Sequence, residues 1–374
     1  MARAPAVQEI EALPEADRLN GFPHPRHTRS VIGHDDVQRM LVERVRSDKL
    51  HHGWLITGPE GVGKATLAYA FCRYLLARPS ERESESDGLP VAPTTIAYRQ
   101  VAALSHPDLL LLRRPWDQKA KRHTASIPID EVRRLRMFLG HKAEFGAWRV
   151  VVIDTADDLA GAAANALLKS LEEPPDRTIF LLLSSEPGRL LPTIRSRCRI
   201  LNLAPLAPDD LKAAAEQALA ASDNHRTPAP SDWPQLISLA QGSVRRALIV
   251  SSSDGLKIYD RVLALVTDFP KVDWQTLHTL SDELSGAAAE QKFEQFFEFL
   301  IDFIGRLIRA QASGIGDAAI LALAGRIMSG DRLPAFAAAW TDIAAAKIEA
   351  LALNLDRKAL IMTMVQRLAA AAKG

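Results

Sequence analysis

The stretch Gly58-Pro-Glu-Gly-Val-Gly-Lys64 holds the residues best suited to chemistry in this sequence. It fits the first seven positions of the phosphate-binding pattern G-x-x-x-x-G-K-[ST], and it lies between an apolar run and a helical one, as such a loop must. Glycines let backbone amides surround phosphate oxygens, and the lysine reaches the outer phosphates. We therefore predict a nucleotide-binding loop formed by Gly58, Gly61, Gly63 and Lys64. The alternative is a glycine-rich turn that binds nothing.

The residues around this loop are poorly suited to hydrolysis. Ala65 stands where a serine or threonine hydroxyl would bind Mg²⁺. Thr66 is next, but one residue along a helix rotates the side chain by ~100°, so Thr66 is a poor substitute and is kept only as a candidate nucleotide contact. Asp154, at the end of the run RVVVID, is the predicted metal-side acid, and Thr155 follows it where a glutamate would polarise the attacking water. We expect binding of ATP and Mg²⁺ without hydrolysis, and leave turnover by the chain alone open.

Apolar strand-like runs alternate with helical patterns over the first half of the chain. The predicted strands are Trp54–Thr57, Asp108–Arg113, Arg149–Asp154, Thr178–Ser185 and a last one within RCRILNL. The predicted helices are Ala65–Leu76, one capped by Asp130, and Leu159–Glu173, preceded by Asp157 and Asp158 as candidate caps. Strands that are apolar throughout indicate a parallel sheet covered on both faces. Beyond Pro205 nearly all of the pattern is helical.

Composition sets limits on the class of protein. A length of 374 residues suggests two or three domains, and a net charge of +1 provides no general attraction to nucleic acid or anionic lipid. Two cysteines, Cys72 and Cys198, cannot build a disulfide framework or a zinc site alone. The first 30 residues lack the apolar core of a secretory signal, and no apolar run approaches the ~20 residues of a membrane span. These features predict a cytoplasmic protein without membrane contact.

The motifs in combination resemble the delta-prime family of bacterial DNA polymerase III clamp-loader subunits, within the AAA+ superfamily. The segments that carry the resemblance are Val31–Ala68, His106–Arg113, Ile127–Leu135, Val151–Pro175, Phe180–Arg199 and Gly242–Leu248. A glycine loop alone is common, but one followed by NALLKSLEEPP and then by LPTIRSRC is specific. The resemblance covers most of the chain from residue 31 to residue 250.

The resemblance implies roles for several polar residues. Arg197, in the Ser-Arg-Cys motif, matches a trans-acting arginine finger that reaches the γ-phosphate of ATP on a neighbouring subunit. Arg195 or Arg199 could be the finger instead, and a plain surface arginine is the alternative. Arg245, in GSVR, matches the second sensor, which contacts bound nucleotide; a solvent-facing or interdomain arginine is equally compatible. Ser184–Ser185 matches the first sensor position, although two serines after a strand are more often a loop.

Departures from the family pattern indicate which subunit the chain resembles. Motor subunits should carry the hydroxyl that Ala65 lacks, a glutamate in place of Thr155, and four zinc-binding cysteines before the second strand. That interval holds only Cys72, so zinc is not expected. The resemblance therefore implies a stator that lends its arginine, with delta and tau or gamma subunits as partners and, through them, the sliding clamp and primed DNA. The alternatives are an autonomous P-loop ATPase or DNA-dependent motor, a tau/gamma-type motor subunit, and a nucleotide-sensing scaffold.

The expected fold class is α/β: a AAA+ P-loop domain with a parallel sheet, a small helical lid and an all-α collar. We place an N-terminal extension at residues 1–30, the nucleotide-fold domain at 31–203, the lid at 204–250 and the collar at 251–374. In the collar, QKFEQFFEFLIDFIGRLI is apolar on more than one helix face, which suits contact with a partner but equally a well-packed bundle. The basic cluster Arg113–His123 with Trp116 could approach DNA, but a solvated loop is the favoured interpretation.

Overall fold

The computed structural model describes residues 13–82, 88–140, 148–222, 227–252, 254–286, 289–353 and 355–373. The first twelve residues of the predicted N-terminal extension and residues 83–87 lie outside this described part. The chain forms two compact units, Met1–Leu248 and Ile249–Gly374.

Strands occur only in the first unit among the described residues. They are β1 Gly53–Thr57, β2 Leu109–Leu112, β3 Trp116–Asp117, β4 Arg122–His123, β5 Arg149–Ile153, β6 Thr178–Ser184 and β7 Arg199–Asn202. The helices that begin in this unit are α1 Asp35–Arg46, α2 Lys64–Leu76, α3 Ile96–Ala102, α4 Ile129–Gly140, α5 Gly161–Glu172, α6 Pro192–Arg195, α7 Pro208–Ala220, α8 Trp233–Ala240 and α9 Val244–Ser252.

Five strands form one parallel sheet in the order β2-β5-β6-β1-β7. Every residue of β1, β5 and β6 is buried, as expected for strands covered on both faces. The prediction of a parallel α/β sheet is therefore confirmed. Because parallel strands end at the same edge, the residues after β1, β5 and β6 are brought together there.

Alternate residues of β1, β2, β5 and β6 pack into two separate hydrophobic cores. Ile56 and Val152 point into the core formed with α1, α2 and α3, whereas Leu55 and Val151 point into the one formed with α4 and α5. This alternation follows from the two-residue period of a β-strand. The sheet is thereby held rigidly between helices, so that its carboxyl edge can position side chains accurately.

Three local predictions were wrong. Helix α5 begins at Gly161 with Ala160 as its N-cap residue, so Asp157 and Asp158 do not cap it and lie instead in a 3₁₀ turn. The reason is that other groups bind their carboxylates. Ser184 and Ser185, at the end of β6, donate hydrogen bonds to Asp157, and Arg114 forms an ion pair with Asp158. Helix α4 begins at Ile129, which places Asp130 inside the first turn and not at the cap.

The second unit is all-helical in its described residues. Its helices are α10 Gly255–Thr267, α11 Trp274–Ser285, α12 Glu290–Ser313, α13 Ala318–Ile327, α14 Arg332–Leu353 and α15 Arg357–Ala371. Helix α12 packs against α10, α11, α13 and α14. Eight of its apolar side chains are at most 3% exposed in the folded chain; they are Phe293, Phe296, Phe297, Phe299, Leu300, Phe303, Ile304 and Leu307. Packing within the chain therefore accounts for most of the broad apolar pattern.

None of the described helices alone combines the length and apolar character that a membrane crossing needs. Helices α12 and α13 reach that length and apolar character only as a pair, and the pair is bent by 87° at the break between them.

Candidate functional site

The glycine loop joins the end of β1 to the start of α2, where the sequence placed it. Gly58, Gly61 and Gly63 have φ values of 145°, 80° and 104°, a region that residues with a Cβ rarely adopt. Neighbouring atoms also leave no room for a side chain at two of them. A Cβ on Gly58 would lie 2.4 Å from the Leu203 carbonyl oxygen, and one on Gly61 would lie 2.3 Å from Ser243 Oγ. The glycines are thus required by conformation and by packing.

The carbonyl oxygens of the loop are bound by groups of the chain itself. Lys64 Nζ donates to the carbonyls of Gly58 and Pro59, at 2.7 and 2.8 Å. Glu60 and Gly61 accept from Ser243 Oγ and the Val244 amide, at 2.8 and 2.9 Å. Val62 accepts from His34 Nε2 at 2.9 Å.

These contacts leave the amide groups of the loop for another acceptor. The amides of the first turn of α2 have no partner inside that helix, because the first four N–H groups of a helix never do. Gly63, the N-cap residue of α2, provides no side-chain cap. Loop amides and a helix N-terminus together form a concave anion site. The geometry therefore fits phosphate groups of a nucleotide.

Lys64 is buried at the base of this loop and contacts the end of β6. Its Nζ donates to Ser185 Oγ at 2.9 Å, in addition to the two loop carbonyls. Burial lowers the pKa of Lys64, and the nearby charges of Asp154, Glu60 and Asp157 oppose that shift. The lysine is positioned to meet an anion in the loop, with Ser185 as its present side-chain partner.

Asp154 lies at the end of β5 beside Lys64, as predicted for the metal-side acid. Burial, and then the charge of Asp17, raise the pKa of Asp154 to about 8, although Lys64 and Arg113 favour its carboxylate. Its Oδ2 atom has no hydrogen-bond partner within the described chain.

The residues present fit phosphate better than they fit Mg²⁺. Protein-bound Mg²⁺ on a nucleotide takes one or two carboxylates, phosphate oxygens and water. Asp154 can supply one carboxylate ligand for the metal, whereas the methyl side chain of Ala65 supplies no oxygen ligand. Thr155 Oγ1 donates to the Leu183 carbonyl at 2.8 Å, so that hydroxyl is engaged in the sheet edge. No cluster of three or more His, Cys, Asp or Glu side chains placed to hold a metal occurs among the described residues. Thr66 lies in the first turn of α2, one position past the metal-ligand position.

Asp157 organises the end of β6, a role that the sequence did not suggest. Its Oδ1 accepts from Ser184 Oγ at 2.5 Å, and its Oδ2 accepts from the amides of Ser185 and Glu186, at 2.7 and 3.1 Å. Ser185 in turn accepts from Lys64. A continuous hydrogen-bonded path therefore joins the glycine loop to the segment after β6. Only the position of this acid, three residues past Asp154, could have drawn attention to it.

Arg245 contacts the loop from the start of α9. Its Nε lies 2.9 Å from Glu60 Oε1, and the neighbouring Val244 amide binds the loop backbone. The structure thus brings the predicted second-sensor arginine next to Gly58–Lys64. Its recorded partner is a carboxylate of the loop itself.

Arg197 lies away from this loop, in the turn between α6 and β7. Its Nη2 pairs with Glu172 Oε1 at 2.5 Å, and its Nη1 donates to the Thr193 carbonyl at 3.0 Å. The guanidinium is about one-third exposed. Arg197 is therefore separate from the chain's own phosphate site.

Two of the five lysine and arginine side chains in the basic cluster after β2, Arg113 and Arg114, pair with acids of the chain. Arg113 pairs with Asp17 Oδ1 and Glu15 Oε1, at 2.6 and 2.9 Å, and Arg114 pairs with Asp158 at 2.9 Å. Trp116 stacks edge-on with His123 across the β3–β4 hairpin. These contacts give Arg113, Arg114 and Trp116 partners within the chain.

The two thiols lie in environments that keep them protonated. Burial raises the pKa of Cys72 to about 12, and burial likewise raises that of Cys198 to about 12. Neither thiol is therefore a reactive thiolate at neutral pH.

Comparison with known proteins gives a consistent set of relatives. A family model described as "DNA polymerase III, delta subunit" matches residues 33–207. DNA polymerase III subunit delta' of Escherichia coli (strain K12) is 33% identical over 238 residues, which are 63% of this chain and 66% of the relative. The protein of the same name from Pseudomonas aeruginosa is 39% identical over 148 residues, or 39% of this chain and 41% of the relative. DNA polymerase III subunit tau of E. coli is 28% identical over 62% of this chain and 34% of the relative. Each match covers less than two thirds of the relative's own length.

Proposed function

The chain belongs, through residues 33–207, to the DNA polymerase III delta-prime family, and from that premise we propose that it is the stator subunit of a clamp loader. In this role it binds delta and tau or gamma subunits, and through them it serves sliding-clamp loading on primed DNA. Residues 31–203 act as the nucleotide-fold domain, residues 204–250 as its lid and residues 251–374 as the collar.

One observation carries the proposal: the chain keeps a built phosphate loop, but Ala65 and Thr155 stand where a metal-binding hydroxyl and a water-polarising glutamate would be needed. Ala65 offers no metal ligand, and the Thr155 hydroxyl donates to the Leu183 carbonyl. Hydrolysis of ATP needs a positioned metal and an oriented water, and neither residue supplies these. A member of a motor complex with such a site can contribute structure, bound nucleotide or a trans-acting group, but little turnover of its own.

We propose Arg197 as the trans-acting group. A guanidinium offers fixed positive charge and several donors to the anionic transition state of phosphoryl transfer. Arg197 is partly exposed and distinct from the chain's own glycine loop, which supports action on a neighbouring subunit.

We propose that the retained loop holds ATP without hydrolysing it. The support is that Lys64 and the chain's own hydrogen bonds account for the loop carbonyls, so the amides face an anion site. Arg245, which contacts the loop residue Glu60, is the candidate for reporting nucleotide occupancy to α9.

A second candidate function is that of a motor subunit or autonomous ATPase. The similarity to subunit tau and the intact Gly58, Gly63 and Lys64 favour it. This candidate requires phosphate release by the purified chain that Lys64→Ala abolishes.

The test combines the isolated chain with the reconstituted clamp loader. We expect a fluorescent ATP analogue to bind the purified chain without phosphate release. In the complex, Arg197→Ala should lower hydrolysis at the neighbouring site by at least ~10³-fold, the lower end of the range for an arginine finger. Arg189→Ala, which removes another exposed arginine, is the matched control. Sustained phosphate release by the chain alone, or full activity of the Arg197→Ala complex, would contradict the stator role.

A further inference from the structure

We propose that Glu172 is the positioning residue for Arg197, and that helix α5 thereby presents the finger to the neighbouring subunit. This inference rests on the proposed function of Arg197. It assigns to the first glutamate of NALLKSLEEPP a role that the family resemblance did not suggest.

The guanidinium of Arg197 is held from two sides. Glu172 Oε1 binds Nη2 at 2.5 Å, and the Thr193 carbonyl accepts from Nη1 at 3.0 Å. One anchor is a side chain of the helix α5 and the other belongs to the backbone of α6. Together they restrict a side chain that otherwise loses much rotamer entropy when it binds a partner.

The position of Glu172 in its helix is electrostatically unfavourable without such a partner. It is the last residue of α5, where the helix dipole favours cations and disfavours carboxylates. A second acid, Glu173, follows directly, which adds like charge. The guanidinium of Arg197 offsets the charge of Glu172, so the ion pair stabilises both side chains in these positions.

The backbone under Arg197 is fixed independently by the first residue of β1. A Cβ on Gly53 would lie 3.1 Å from the Arg197 carbonyl oxygen and 3.3 Å from Cys198 Sγ. The turn therefore packs directly on the sheet. With its backbone on β1 and its guanidinium on α5, Arg197 is preorganised in a way that the motif alone does not reveal.

The same contacts distinguish Arg197 from its two neighbours. Within the described residues, an ion pair is recorded for Arg197 but for neither Arg195 nor Arg199. The pair uses one edge of the guanidinium and leaves further N–H groups for phosphate oxygens. An arginine oriented before the transition state forms stabilises that state without reorganisation.

Steady-state ATP hydrolysis by the reconstituted clamp loader tests the assignment. We expect Glu172→Gln to lower kcat roughly two- to fivefold, the effect of one partly exposed ion pair, with KM for ATP unchanged. Glu172→Asp keeps the charge on a shorter side chain and should recover part of the loss. Glu173→Gln is the matched control, because it removes the adjacent carboxylate, and it should behave as the unmodified chain.

A double-mutant cycle separates positioning from general damage. In the Arg197→Ala background, Glu172→Gln should have no further effect on kcat, because Glu172 acts through Arg197. Equal effects of the 172 and 173 variants, or an undiminished effect of Glu172→Gln without Arg197, would overturn the assignment while leaving the stator role intact. A silent Arg197→Ala substitution would instead overturn the finger, and with it this inference.

Discussion

At the scale of single residues, the protonation of Asp154 is an acid–base property of the site that can be measured. Burial and the charge of Asp17 raise its pKa to about 8, so the folded chain keeps this carboxyl protonated over a range where an unfolded chain ionises it. Between about pH 4 and pH 8 the folded state therefore binds more protons than the unfolded state. By linkage, this group makes the free energy of unfolding fall as the pH rises through that range, and level off above it.

Asp154→Asn should remove this dependence. We expect the variant to gain stability relative to the unmodified chain as the pH rises from 5 to 8, by about 1–3 kcal/mol, because the unmodified folded chain retains a proton on Asp154 that the unfolded chain releases. Urea unfolding at pH 5, 6.5 and 8 measures the difference. The exposed Asp176→Asn variant controls for the loss of one carboxylate. Parallel curves for Asp154→Asn and the unmodified chain would show that this carboxyl titrates at its ordinary pKa.

At the scale of elements, two hydrogen bonds and an ion pair join the start of α9 to the glycine loop. The Val244 amide binds the Gly61 carbonyl and Ser243 Oγ binds the Glu60 carbonyl, while Arg245 pairs with Glu60. The loop and α9 therefore cannot move independently. A ligand that shifts the loop would shift α9 with it.

Gly61→Ala should disrupt these contacts between the glycine loop and α9. The new Cβ would lie 2.3 Å from Ser243 Oγ and 2.5 Å from Arg245 Cβ, at a residue whose φ is 80°. We expect a loss of about 1–3 kcal/mol in the free energy of unfolding. Gly188→Ala is the matched control, because nothing lies within 4 Å of a Cβ there. Chemical denaturation of both variants gives the comparison, and equal stabilities would contradict the described packing.

The elements also show what the sequence could and could not reveal. The apolar runs of β1, β5 and β6 predicted the parallel sheet, because burial on both faces demands continuous hydrophobicity. The roles of Asp157 and Glu172 could not be predicted, since their partners come from β6 and from the turn after α6. The two-residue strands of the Trp116–His123 hairpin are too short for any periodicity to indicate. Local sequence patterns predict secondary-structure elements, whereas polar contacts between residues far apart in the sequence can be identified only once the fold is known.

At the scale of the molecule, all of the proposed site residues lie in the first unit. Lys64, Asp154, Arg197 and Arg245 all precede residue 249, where the helical unit begins. Ligand binding to the glycine loop should therefore be measurable as stabilisation of the folded chain by mass action.

ATP at a hundredfold excess over its dissociation constant should stabilise the chain by about 2.7 kcal/mol. Thermal unfolding with increasing ATP measures this shift. AMP, which lacks the outer phosphates, should produce a smaller one. Lys64→Ala should abolish the response, while the exposed Lys49→Ala variant should keep it. An ATP-induced shift that survives Lys64→Ala would place the nucleotide elsewhere.

The buried thiols make the chain convenient for site-specific labelling. Maleimides react with thiolates, and burial raises the pKa of both Cys72 and Cys198 to about 12, so the native protein should take up such reagents slowly at neutral pH. A single cysteine introduced at Gly188, which has open space around it, would then carry a fluorophore without removal of the natural cysteines. Position 188 precedes α6, the short helix that leads to Arg197, and a dye there could report the docking of a neighbouring subunit in real time.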